Sequence, residues 1–174
     1  MVHYVNGNLL DSDCQAICHQ VNCQGAMNSG VAKAIRTKWP EVYCEYKNKY
    51  DMAKYMANNA TASKRYGNVT TADYLLGSTQ YVQVYSQKES KIKEVVNMFA
   101  QETYGYNGAQ YTSYDAFMKC LWGIKAAYAP GATIGFPDHI GCCRGGANWR
   151  IIKTMIEEVL GEDFEVEIWD LDRG

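Results

Sequence analysis

The chain has 174 residues, of which 47% are hydrophobic and 21% charged; this is the size and composition of one globular domain and excludes a disordered or fibrous chain. With 17 Lys and Arg against 19 Asp and Glu the net charge is −2, too small to draw in a polyanion from a distance, so general nucleic-acid binding is not expected. A membrane segment is not expected either: the N-terminus MVHYVNGNLLDSD lacks the basic and apolar regions of a signal peptide, and Lys119 and Lys125 interrupt the longest apolar stretch.

In chain order, residues 2–5 and 16–21 read as strands, short and apolar or alternating. Val31, Ile35 and Trp39 recur every fourth residue on one helical face, and Pro40 marks the end of that helix. The stretch 50–71 is polar, rich in Tyr, Asn and Ala and without a clear period, and suits a helix followed by a loop. Strands are predicted at 80–85 and 94–99, a helix at 115–128 and a further strand at 133–136. Trp149, Ile152, Ile156, Val159 and Leu160 then share a helical face that Gly161 caps, and a last strand covers 165–171. Helices alternating with strands predict an α/β fold, a sheet covered on both faces, and no linker divides 1–174. The cysteines are odd in number, at 14, 18, 23, 44, 120, 142 and 143, and Cys18 and Cys120 lie in apolar runs. That pattern predicts reduced, buried thiols and a cytoplasmic location.

Chemistry begins where the strand at 16–21 gives way to VNCQGAMNSGVAKAI. A helix N-terminus presents unpaired N–H groups and partial positive charge, and glycines let an anion approach them. The arrangement recurs after the strand TIGFP, in IGCCRGGANW. Gly25 and Gly30, like Gly141 and Gly146, have P-loop spacing, but Val31-Ala32 and Ala147-Asn148 stand where Lys and Ser/Thr would grip phosphate and magnesium. An NTPase is therefore disfavoured. Two loops of one kind suggest a clamp around a diphosphate. His139, Cys142 and Cys143 complete no zinc set, since adjacent cysteines rarely chelate one ion and no CxxC or HxxxH accompanies them. No metal and no cofactor are expected.

Val21-Asn22-Cys23, Gly25, Met27, Gly30-Val31-Ala32 and Pro40 resemble the first loop and helix of macro domains; GNLL, Ile140-Gly141-Cys142, Gly145, Gly146, Trp149 and EVEIWD resemble the family at corresponding places. The resemblance implies a single three-layer α/β/α macro domain over 1–174, with a mixed central sheet, whose partner is ADP-ribose or a derivative. It implies that Asn8, with Leu9 beside it, meets the adenine where the family usually has Asp; a turn role for Asn8 is equally open. Trp169 is either the aromatic beside the adenine or a core residue. Asn22 is implied at the distal ribose. Gly25, Ala26, Met27, Asn28, Ser29, Gly30 and Val31 are implied around that ribose and part of the diphosphate. Gly141, Cys142, Cys143, Arg144, Gly145 and Gly146 hold the other side. Cys143 replaces the commoner glycine, which requires either a negative φ or tolerated strain.

Relatives that remove ADP-ribose from DNA or acidic side chains often carry a lysine at the position matching Gln101, and some carry an acid at Gly145. Glutamine forms no Schiff base and no ammonium acid. The better match is the branch that hydrolyses ADP-ribose 1''-phosphate, with a histidine at His19. Hydrolysis needs an in-line water, stabilised phosphoryl oxygens and a proton for the ribose oxygen, which assigns positioning to Asn22 and proton transfer to His19. Asp138 and His139 are reserve acid/base candidates. The alternatives are a reader of ADP-ribose without turnover, a glycohydrolase, and, for His19, a satisfied polar residue in a central strand.

Overall fold

The computed structural model describes residues 1–60, 67–86 and 90–171. Its sheet has six strands in the order β1-β6-β5-β2-β4-β3: β1 (Val2–Asn6), β2 (Ala16–Asn22), β3 (Thr79–Ser86), β4 (Lys91–Gln101), β5 (Thr133–Pro137) and β6 (Glu165–Asp170). Every pair is parallel except the β3/β4 hairpin. The α-helices among the described residues are α1 (Gly30–Lys38), α2 (Pro40–Asn59), α3 (Thr71–Leu75), α4 (Tyr114–Ala127) and α5 (Trp149–Leu160). Of the weakly patterned stretch 50–71, residues 61–66 lie outside those described.

The helices cover both faces, giving the expected α/β/α layering around a mixed sheet. On one face α4 and α5 bury Phe117, Leu121, Ile152 and Ile156 against Cys18, Val96 and Phe136. On the other, α1, α2 and α3 bury Ile35, Tyr46 and Leu75 against Ile17, Val95 and Phe99. In α5, Ile152, Met155, Ile156, Val159 and Leu160 are buried, a stripe at helical spacing. In α2 only Val42, Tyr46, Ala53 and Ala57 are buried over twenty residues, which is why sequence pattern leaves this helix faint. Pro40 does end α1, but it is also the first residue of α2, where its missing N–H costs nothing. Gly161 caps α5 with a right-handed backbone (φ −63°) rather than the left-handed one a glycine cap suggests; its lack of Cβ matters because one would lie 2.5 Å from the Glu157 carbonyl.

The β2/β4 ladder runs from Ala16 to Asn22 and the β5/β6 ladder from Thr133 to Pro137, yet β2 and β5 pair only through Ala16↔Ile134 and Ile17↔Gly135. Toward their carboxyl ends the two central strands part. The chain leaves β2 for one side of the sheet and β5 for the other, so the split is also the topological switch point, where open α/β sheets bind ligands. No described helix is long and apolar enough to cross a membrane.

Candidate functional site

Over the split lies a cavity of about 310 Å³, floored by the carboxyl ends of β2 and β5 and walled by the loops that follow them. Its volume suits a small nucleotide-like ligand.

The first wall is built by Asn22. Its Oδ1 accepts from the Gln24 amide at 2.9 Å and the Ala26 amide at 3.4 Å, and its Nδ2 donates to the Ala26 carbonyl at 2.9 Å. Tyr46 from α2 reaches both the Asn22 carbonyl (2.9 Å) and Oδ1 (2.7 Å). A side-chain amide thus closes the turn, and one of its two N–H bonds remains for a ligand. Gly25 (φ +73°) has no alternative, because a Cβ there would lie 2.8 Å from the Tyr50 ring. Met27 is buried in the core, while Ala26, Asn28, Ser29, Gly30 and Val31 border the cavity. Arg36 holds Asn28 Oδ1 at 2.9 Å. Ser29 caps α1 without a side-chain hydrogen bond, and the first intrahelical bond is Lys33 N to Ser29 O. The amides of Gly30, Val31 and Ala32 are therefore left at the positive end of the helix dipole. Nothing lies within 4 Å of where a Gly30 Cβ would stand.

The second wall runs from Asp138 to Gly146. Asp138, His139, Gly141, Cys143, Arg144 and Gly145 border the cavity; Cys142 is half-buried against the α4/α5 core, and a Cβ on Gly146 (φ +66°) would stand 2.5 Å from the Ala109 carbonyl oxygen. Cys143 is not among the positive-φ residues, so its replacement of glycine costs no backbone strain. His139 (φ +53°) donates from Nδ1 to Asp138 at 2.8 Å and stacks on Trp149 with ring centroids 5.0 Å apart. Among the described residues the amides of Cys143, Arg144 and Gly145 have no hydrogen-bond acceptor, a second anion-ready run.

At the β6 end, Trp169 is partly buried; its ring would stand 3.3 Å from a Cβ on Gly7 and its Nε1 donates to Glu167 at 2.8 Å. Asn8 is a turn residue: its Oδ1 accepts the Leu10 amide (3.1 Å), its Nδ2 donates to Asp11, and its side chain is exposed. Leu9 is buried against the place a Gly135 Cβ would occupy. Neither Asn8, Leu9 nor Trp169 borders the cavity described above.

His19 is 1% exposed. It lies opposite Asn97 in the β2/β4 ladder and shares a sheet face with Ile17 and Val21. Asn97 donates to Gln80 Oε1 at 3.0 Å, which turns its Oδ1 to His19 Nε2 at 2.5 Å and leaves the ring proton on Nε2. Burial pushes the imidazole down from its ordinary 6.5 to about 4, against the smaller upward pull of Asn97, so the ring is neutral at pH 7. A neutral ring is no proton donor for a departing oxygen. The ladder does shift register between Val21 and Asn22, but the bend does not bring His19 to Asn22: their side chains have separate partners. Cys23 is buried, and desolvation pushes its thiol up to about 12, away from the thiolate form a nucleophile needs.

Sequence motifs do not point to Gln20, Pro137, Tyr104, Gly105 or Tyr106, which also border the cavity; the last three lie in the segment after β4. Tyr106 is 75% exposed, and the Arg144 guanidinium sits 4.9 Å from its ring centre. Cys23 N reaches the carbonyls of Gln101 and Glu102, so this third wall is tied to the first loop. The available signal was its place at the carboxyl end of a central strand. Of the four buried side-chain polar atoms without a partner among the described residues, His19 Nδ1, Gln20 Oε1 and Asp138 Oδ1 belong to residues bordering the cavity.

No protein-family profile matches the sequence. A stretch of 46 residues, 26% of this chain, is 37% identical to the DNA ADP-ribosyl glycohydrolase of Mycobacterium tuberculosis, and the match spans 13% of that relative's own length. Among solved structures, the macrodomain of Thermus aquaticus DarG superposes with TM-score 0.69 at 19% identity, covering 99% of this chain and 98% of that one. Thermosipho africanus DarTG in complex with ADP-ribose gives 0.72 at 15% identity, covering 99% of this chain and 42% of that one. A protein of unknown function from Bacteroides thetaiotaomicron gives 0.72 at 24% identity, with 98% of each chain covered. The chain has the macrodomain fold.

Proposed function

We propose that residues 1–174 act as one macro domain that binds ADP-ribose, the diphosphate lying across the split between β2 and β5. One observation carries this reading: two independent runs of unspent backbone amides, Gly30 to Ala32 and Cys143 to Gly145, belong to residues that border one cavity on two different loops. Neither loop has a lysine or a magnesium-binding hydroxyl at the P-loop positions, which favours a clamp made of main-chain N–H groups. The likeness to a structure solved with ADP-ribose supports the same ligand. The adenine then lies toward Trp169 and Gly7 and the distal ribose toward Asn22 and the Tyr104–Tyr106 wall.

For the reaction we infer hydrolysis of ADP-ribose 1''-phosphate. Water attacks phosphorus, the bond to the ribose oxygen breaks, and that oxygen takes up the proton that the attacking water gives up. The loop amides neutralise the phosphoryl oxygens, and the remaining Asn22 N–H orients the ribose. His19, neutral and bonded to Asn97, serves this site by fixing the strand, and its Nδ1 lone pair suits accepting rather than giving a proton. A second reading, release of ADP-ribose from a nucleobase, is favoured by the exposed Tyr106–Arg144 pair at the distal end and by the name of the Mycobacterium tuberculosis relative. Gln101 in the place of the relatives' lysine weighs against it.

Calorimetry in EDTA tests the binding: ADP-ribose is expected to bind without magnesium, and equal or tighter magnesium-dependent ATP binding refutes the clamp. Phosphate release from ADP-ribose 1''-phosphate and ADP-ribose release from modified DNA and modified acidic peptides then separate the reactions. Slow phosphate release and no glycohydrolysis are expected; turnover of none of these substrates leaves a reader.

A further inference from the structure

The second loop is wrapped around a side chain that never reaches the cavity. Thr112 lies between β4 and α4, is 2% exposed and forms an isolated bridge with Gln101. Its hydroxyl donates to the Gly141 carbonyl at 2.8 Å and accepts from Gln20 Nε2 at 2.8 Å; the same Gln20 amide reaches Gln101 Oε1 at 2.7 Å. The backbone amides of Tyr111 and Thr112 both donate to the Gly145 carbonyl, at 2.8 and 2.9 Å. A Cβ on Gly145 would stand 2.2 Å from Thr112 Oγ1, and one on Gly141 3.1 Å from it. The two glycines are therefore what lets the loop close over this hydroxyl.

The carbonyls at both ends of the loop are thus spent on residues 111 and 112, and the Gly141 carbonyl also receives Ala147 N at 3.0 Å. What the loop keeps for an anion is the run of amides from Cys143 to Gly145. A hydroxyl suits this position because it gives and takes a hydrogen bond at once, joining the Gln20 strand to the loop. Thr112 is absent from the residues bordering the cavity, so any effect on a ligand passes through the loop.

We propose that Thr112, oriented by Gln20, is the positioning residue that presets the Cys143–Gly145 amides for the diphosphate. This rests on the ADP-ribose reading above. Thr112→Val keeps the shape and removes the hydroxyl; Thr112→Ser keeps the hydroxyl. Each is titrated with ADP-ribose and with adenosine, which lacks the diphosphate, and amide hydrogen exchange over 141–146 is followed in the ligand-free chains.

Thr112→Val is expected to weaken ADP-ribose binding about tenfold, the scale of one lost hydrogen bond. Adenosine affinity stays unchanged, exchange at 143–145 rises, and Thr112→Ser behaves as wild type. Undiminished ADP-ribose affinity in Thr112→Val, or equal losses for both ligands, overturns the proposal. If Thr112→Val does not fold, Gln20→Leu decides by hydrogen exchange at 143–145 in the ligand-free chain, since it removes the group that orients the hydroxyl while Gln20 itself borders the cavity; unchanged exchange overturns the proposal. A wild-type chain that binds no ADP-ribose refutes the functional reading alone, and the exchange comparison between the Val and Ser variants still decides the role of Thr112.

Discussion

His19 makes this protein acid-sensitive through a single buried ring. In the unfolded chain the imidazole titrates near 6.5, and in the folded one near 4, because burial penalises its charged form. Between those values the unfolded state holds more protons, so stability rises with pH across the window, is fully present above 6.5, and is lost as pH falls toward 4. The total is about 3 kcal/mol, at about 1.4 kcal/mol for each tenfold change in proton affinity. From pH 7 to pH 5 alone the ring contributes a loss of about 2 kcal/mol. Urea unfolding of the wild type and His19→Gln at both pH values measures it, and carboxylates common to the two proteins cancel in the comparison. The glutamine amide retains a donor for Asn97 but no titratable group, so its variant is expected to lose about 2 kcal/mol less over that interval. Equal losses in the two proteins refute the argument, as does a ring proton titrating near 6 by NMR in the folded state. The same value bears on catalysis: at pH 7 about one ring in a thousand is protonated. A turnover number that falls between pH 5 and 8 with an apparent pKa near 7 and vanishes in His19→Gln would return proton donation to this residue.

Gly30→Glu introduces a carboxylate where the Cβ meets nothing within 4 Å, at a backbone angle of φ +54°. Circular dichroism is expected to stay near wild type while ADP-ribose affinity falls at least about 100-fold, through charge set against the helix N-terminal anion site; normal binding removes the first loop from the ligand. Tyr46→Phe deletes the hydroxyl that serves both oxygens of Asn22. It is expected to lower stability by about 1–2 kcal/mol in thermal or urea unfolding and to weaken ADP-ribose binding, because the first loop loses its anchor. Unchanged affinity would show that Asn22 holds the turn without help.

Much of the architecture was legible because it repeats locally. Strand runs at 16–21, 94–99 and 133–136 fall within β2, β4 and β5, and the α5 stripe follows from the spacing of five apolar side chains. Both glycine loops announced themselves by glycines placed between a strand and a helix, since only main-chain conformation and anion approach demand glycine there. The 20 residues of α2 stayed faint because two of its four buried positions are alanines. The Asn8 alternatives could not be separated from sequence, as an amide suits a turn and an adenine equally; the Leu10 amide at its Oδ1 shows the turn.

What sequence alone determined, then, is what nearest neighbours along the chain control: periodicity, turn chemistry and the two loops that resemble a macro domain. Tertiary structure alone decided which groups remain unspent. Asn97 lies 78 positions from His19 and fixes the orientation of its buried ring, Thr112 lies 29 from Gly141 and closes the second loop on itself, and the Tyr104–Tyr106 wall joins the cavity only because β4 ends beside β2. Partners so distant in sequence leave no periodic trace, because a hydrogen bond depends on where two strands are brought together and not on how far apart they are along the chain.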